Sequence, residues 1–157
     1  MIDRFERFSL TIFEISRHWH KIAADEMEKL GLKGPHCIYL LTMRQHPEGI
    51  TASDLGELCG RDKADVSRMM SILEKKGLVS KESTQQHLYR GLLKLTEEGI
   101  AAAEQVCQRV CVAVEAAGKG LDDARRILFY EALELISDNL RRISQDGLPQ
   151  STPVHPE

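Results

Sequence analysis

The sequence predicts a mainly α chain with one small β-hairpin, an α+β architecture. Three observations carry that reading. Apolar residues recur at three- and four-residue steps near both ends of the chain. Between them lie two short helical stretches, closed by Gly60 and Gly77. Residues 78–95 alone have the character of a hairpin.

The first helix follows from Phe5, Phe8, Ile12, Ile15, Trp19 and Ile22, a heptad-like seam sustained for over two heptads. Such a seam is either an ordinary core face or a surface covered by a partner subunit. A second helix spans about Pro35 to Gln45, because proline suits a first helical turn. Ile38, Leu41 and Met43 are its positions expected to be buried at least in part. His46-Pro47-Glu48-Gly49 ends it, and Ile50 enters as a strand residue.

Thr51 and Asp54 have the spacing of a capping box, so a third helix starts at Thr51. Leu55 and Leu58 give it an apolar face, and Gly60 ends it in a left-handed turn. Asp62 caps a fourth helix that runs to Lys76 and stops at Gly77. Its buried stripe is Val66, Met69, Met70 and Leu73. Lys63, Asp65, Ser67, Arg68, Ser71 and Lys75 are left facing out. Two short helices about a glycine turn, the second with a polar outer face, suit placement of a helix in a DNA major groove. Leu78 and Val79 open an extended segment, residues 84–88 form a hairpin tip, and Tyr89 to Leu95 return.

Thr96 caps the next helix, with Glu97 and Glu98 in the first turn, where the helix dipole favours acids. Ile100, Ala103, Val106, Val110 and Val114 form its apolar face. Gly118 and Gly120 separate it from a last helix over 122–144, capped by Asp122 and faced by Leu128, Ala132, Leu133, Ile136, Leu140 and Ile143. These outer helices exceed what a small hairpin-bearing domain needs to cover itself, which predicts dimerisation through both chain ends. Residues 145–157 hold three prolines and no apolar pattern, as a flexible tail does.

The run DKADVSRMMSILEKKGLV followed by LKLTEEG resembles the MarR family of bacterial winged-helix transcriptional regulators. The resemblance covers roughly residues 5–144. It implies a mainly α (α+β winged helix) fold: a winged helix-turn-helix with N- and C-terminal helices forming a dimerisation region. The organisation it suggests is 1–34 as an N-terminal dimerisation helix, 35–96 as the DNA-binding domain, 97–144 as C-terminal dimerisation helices and 145–157 as the tail. It further implies a homodimer that binds a pseudo-palindromic double-stranded operator as a repressor and is released by a small-molecule effector or by oxidation. An isologous dimer sets its two reading helices about 34 Å apart.

Bulk properties bound this reading. The net charge is −3, yet residues 61–94 hold eight Lys or Arg against four Asp or Glu, a local +4 that leaves −7 elsewhere. A basic face on an acidic body suits a DNA reader. Asp3, Arg4, Glu6 and Arg7 interrupt any signal-like stretch, and no window is apolar enough to span a membrane. Four cysteines without close pairing are expected reduced, in a cytoplasm. No phosphate loop or nucleophile elbow argues for an enzyme, and no cofactor is expected.

Candidate DNA contacts are Thr51, Ser53, Arg61, Lys63, Asp65, Ser67, Arg68, Ser71, Lys75, His87 and Arg90. Arg68 has the geometry to read guanine bidentately; Lys63 suits guanine or phosphate. Thr51, Ser53 and Ser67 suit phosphate. Asp65 either accepts from a cytosine amino group or completes the cap at Asp62, and carboxylates are uncommon base readers. Lys75 sits where a cation offsets the helix dipole. The wing departs from the family pattern: the Asp of the usual Asp-x-Arg tip is absent from Gln85-Gln86-His87-Leu88-Tyr89-Arg90, and Arg90 stands nearest the usual arginine. His87 is either a pH-sensitive phosphate contact or simply solvated.

The resemblance also implies an effector pocket for an aromatic or amphipathic compound, lined by Arg17, Trp19, His36, Tyr39 and Met43; alternatively Trp19 and Tyr39 fill core. Cys107 and Cys111 share a helix face, as core residues or as a redox or metal pair. Cys59 beside the helix turn is a second redox candidate. His18 and His20 splay apart, and His36 with Cys37 lacks further ligands, so no metal is expected. The rival reading is a winged-helix protein adaptor or anti-repressor, favoured by the altered wing and the negative total charge.

Overall fold

The computed structural model describes residues 3–82 and 91–149, apart from the side chain of Phe5. The element order is α1 (Arg4–Glu28), α2 (His36–Arg44), β1 (Ile50–Thr51), α3 (Ala52–Cys59), α4 (Lys63–Lys75), β2 (Val79–Glu82), β3 (Leu92–Leu95), α5 (Glu97–Ala117) and α6 (Asp123–Asp146). The fold class is the expected one, mostly helical with a small antiparallel sheet in the order β1-β3-β2. Ile50 pairs with Leu93, and Val79 with Leu95. Among the described residues no helix is long and apolar enough to cross a membrane.

Local chemistry sets the helix ends. The Thr51 hydroxyl accepts the Asp54 N–H at 3.1 Å and donates to the Asp54 carboxylate at 2.7 Å. Gly60 caps α3 at φ 61°, a left-handed conformation that costs glycine nothing. Asp62 accepts from the Asp65 N–H at 2.8 Å, and Asp122 from the Arg125 N–H at 2.8 Å. Each of these caps is where the sequence puts it. Helix α6 runs to Asp146, two residues beyond its expected end.

The chain forms two compact units, residues 1–114 and 115–157. In the first, the core is built from Tyr39, Leu40 and Met43 of α2, Leu55 of α3, and Val66, Met70 and Leu73 of α4. Ile50, Val79 and Leu93 of the sheet, Met27 of α1 and Ala103 and Val106 of α5 complete it. Met69 is only partly buried. Glu26 of α1 accepts two hydrogen bonds from Arg109 of α5, at 3.1 and 3.3 Å. In the second unit, Arg126 donates to Glu115 at 2.9 Å, and α6 buries no residue within the chain.

Two core expectations are corrected. Leu58 is 59% exposed and Ile38 42%. Helix α3 turns its Leu55–Gly56 edge inward, so half-buried Cys59, one turn on from Leu55, takes the inner position expected of Leu58. Helix α2 buries His36, Tyr39, Leu40 and Met43, a face that leaves Ile38 on the opposite side. Of the two readings of the α1 seam, the core face is not what the structure shows: Phe8, Ile12, Ile15, Trp19 and Ile22 are all exposed.

Gly99 lies where α5 starts against the end of α4. A Cβ there would run into the carbonyl of Leu78. Gly99→Ala should therefore destabilise the chain by about 3 kcal/mol or more through overpacking, read as a lowered midpoint in urea with unchanged slope.

Candidate nucleic-acid interface

Helix α4 presents two unlike sides. Val66, Met70 and Leu73 face the core, while Lys63, Ser67, Arg68, Ser71 and Lys75 are exposed. Because α3 is stopped by Gly60 and α4 is restarted by Asp62, the N-termini of both helices border one cleft of about 640 Å³. Its wall includes the hydroxyls of Thr51, Ser53, Ser67 and Ser71 and the amine of Lys63. Those five are thus brought together. Arg61 lines a neighbouring hollow with Ser53 and Lys63. Serine hydroxyls and an amine at two helix starts suit an anionic backbone.

Lys81 of β2 and Glu74 of α4 also line the cleft, and the sequence reading did not single them out. For Lys81 the signal was available: it belongs to the basic stretch 61–94, on the strand after the reading helix. Lys94 of β3 is spoken for, paired with Glu82 at 2.9 Å. His87 and Arg90, with the hairpin tip, lie outside the described residues.

Asp65 takes part in the Asp62 cap through its backbone, while its side chain makes contacts that neither expectation named. Its half-buried carboxylate accepts the Tyr39 hydroxyl at 2.8 Å and Arg68 at 3.2 Å, with Arg61 at 3.9 Å. The Tyr39 hydrogen bond, above all, holds the carboxyl below the usual carboxylate range. Burial, and then the same bond, push the phenol far above its ordinary value.

The five residues expected around an effector are not gathered around one cavity. His36, Tyr39 and Met43 are core, and Arg17 is exposed. Trp19 borders a narrow crevice with Ile22, Cys37, Val106 and the Glu26–Arg109 pair. The cysteines are free. Burial raises the Cys37 and Cys59 thiols, opposite to the shift of a reactive thiolate, and Cys59 donates to Thr42 at 3.6 Å. Cys107 is half-buried and Cys111 exposed, so the pair is not the core filling one reading of it required. Among the described residues no three His, Cys, Asp or Glu groups are placed to hold a metal.

With this geometry, the comparisons with known proteins can be placed. The MarR family model matches residues 30–87, which bears out the resemblance. No curated protein matches the chain. A Listeria monocytogenes protein assigned to the MarR family, crystallised with a 26mer DNA, is 24% identical, with TM-score 0.79, and the match covers 97% of this chain and 100% of that one. A MarR transcriptional regulator from Methanosarcina mazei Go1 is 20% identical, with TM-score 0.80, covering 91% and 94%. A mutant of MepR from Staphylococcus aureus bound to an oligodeoxyribonucleotide is 21% identical, with TM-score 0.58, covering 85% and 97%. The fold is that of MarR-type winged-helix transcriptional regulators.

One buried group of the expected pocket makes a pH prediction. His36 Nδ1 lies 2.9 Å from the Lys33 nitrogen and 3.0 Å from the Lys33 carbonyl oxygen, while Nε2 is buried without a partner among the described residues. Burial first, with Lys33 and Lys76 nearby, lowers its pKa from 6.5. The unfolded chain therefore takes up this proton first, and stability is lost as pH falls below 6.5. Melting temperatures between about pH 7.5 and pH 5.5 should fall, and fall less in His36→Asn; equal slopes would contradict the assignment.

Proposed function

We propose that this chain is a sequence-specific DNA-binding transcriptional regulator of the MarR type, acting as a homodimer on a pseudo-palindromic operator, most simply as a repressor. The observation that carries the reading is α4: its apolar stripe is committed to the core while Lys63, Ser67 and Arg68 are exposed beside a hydroxyl-rich cleft. A helix so mounted enters a major groove, with Arg68 aimed at a base edge and the serine hydroxyls, Arg61 and Lys81 at phosphates, while the Thr51 proton stays with Asp54. The two DNA-bound neighbours support the same use of this fold. Lys75, at the helix end, is assigned to phosphate or to the dipole.

Homodimerisation is supported by two apolar faces, each considered alone. On α1, Ile12 and Ile15 are 41% and 58% exposed; on α6, Leu128 and Leu133 are 64% and 45%. Contiguous apolar stripes of this length mark surfaces that a partner covers. Release by a small ligand rests on the family resemblance; the crevice that Trp19 lines is narrow. Burial raises the Cys37 and Cys59 thiols, which disfavours either of these two as an oxidation sensor.

Two measurements test the reading. In a fluorescence titration against the chain's own upstream intergenic DNA, binding should be tight, sensitive to salt and resistant to random competitor. Arg68→Ala should weaken it by about 1–3 kcal/mol and relax preference at one base position. Binding equal for all sequences would instead favour a protein-binding adaptor. In sedimentation, the wild type should run as a dimer and the Ile12→Glu, Ile15→Glu double variant as a monomer; an unchanged dimer would remove α1 from the interface.

A further inference from the structure

Tyr39 is fully buried on α2, and its hydroxyl donates to the Asp65 carboxylate on α4. A buried phenol needs that bond, so the carboxylate is pinned from the protein side. The other carboxylate oxygen takes a single nitrogen of Arg68, at 3.2 Å. The Arg68 side chain is 70% exposed, so the rest of its guanidinium faces outward. Arg61 lies 3.9 Å from the oxygen that Tyr39 holds. One fixed anion thus stands between two outward cations at the start of the reading helix.

We propose that Asp65, pinned by Tyr39, is a specificity-determining positioning residue that acts through Arg68. The inference rests on the DNA-binding reading above. A phosphate attracts a guanidinium in every sequence, through charge. A guanine attracts it only where two acceptors match the fork. The adjacent carboxylate cancels much of the charge attraction and leaves the directional hydrogen bonds. Arg68 therefore gives up its ion pair for a matching base and keeps it elsewhere. An unpinned carboxylate would swing towards solvent and lose this discrimination, which is why the buried phenol matters.

The test uses the full chain. Duplexes enriched from a random pool by the wild type supply a preferred sequence, and its scrambled version is the control. Anisotropy titrations then compare wild type, Asp65→Asn, Tyr39→Phe, Arg68→Ala and the Asp65→Asn, Arg68→Ala double variant. Asp65→Asn should bind the scrambled duplex about tenfold more tightly, with less than about threefold change on the preferred one, so that the ratio contracts. In the Arg68→Ala background the same change should alter the ratio by under about twofold, because Asp65 acts through that arginine. Tyr39→Phe should contract the ratio in the same direction; should its melt show lost folding, Asp65→Asn decides alone. An unchanged ratio in Asp65→Asn, or an equal shift with and without Arg68, overturns the proposal and leaves DNA binding standing. A wild type that enriches no sequence overturns both.

Discussion

The structure depends on one constraint: α4 has to be anchored along one side and left open along the other. Tyr39, Leu40 and Met43 of α2 supply the anchor, packing in one core with Leu55, Val66, Met70 and Leu73. Each such fully buried apolar side chain contributes about 1.5–3 kcal/mol relative to exposure. Gly56 belongs to the same constraint, since a Cβ there would meet the Arg61 carbonyl at 2.9 Å and Val66 at 3.2 Å. The close approach of α3 to α4 is what sets Thr51 and Lys63, at the starts of the two helices, at the edge of one cleft. Without that packing, the exposed cations of α4 would have no fixed direction.

Features governed by neighbours in the chain were legible in the sequence. The side chains of Thr51, Asp62, Thr96 and Asp122 cap helices because each meets a backbone N–H three residues on. The Val66, Met70 and Leu73 stripe was legible because α4 is long enough for its period to be unambiguous. Lys63, Ser67 and Ser71 of the cleft followed from that register, since fixing the buried side fixes the open one.

Features governed by distant residues were not. Tyr39 and Asp65 stand 26 positions apart, and no local rule pairs a phenol on one helix with a carboxylate on another. Leu58 and Ile38 were misplaced because short helices admit more than one inward face. The seam of α1 posed a different difficulty. Periodicity reports that a stripe is apolar but not what covers it, and Trp19 or Ile15 would read the same in a core or on a surface. Lys81 was overlooked because its importance comes from strand pairing that brings β2 to the mouth of the cleft.

The junction at Thr96 has a mechanical side. Its hydroxyl donates to the Gly77 carbonyl at 2.6 Å and accepts the Gly99 N–H at 3.0 Å, while its own N–H donates to the Leu78 carbonyl at 3.1 Å. The end of α4, the start of the wing and the first turn of α5 are therefore one stiff joint. From Glu97 to Val114, α5 rises about 27 Å from that joint. A shaft of that length works as a lever: a displacement of about 3 Å at its far end becomes a rotation of about 6° where it is rooted. With Gly99 pressed against Leu78, the joint has no slack to absorb the turn, so α4 and the wing would be turned together and not one against the other.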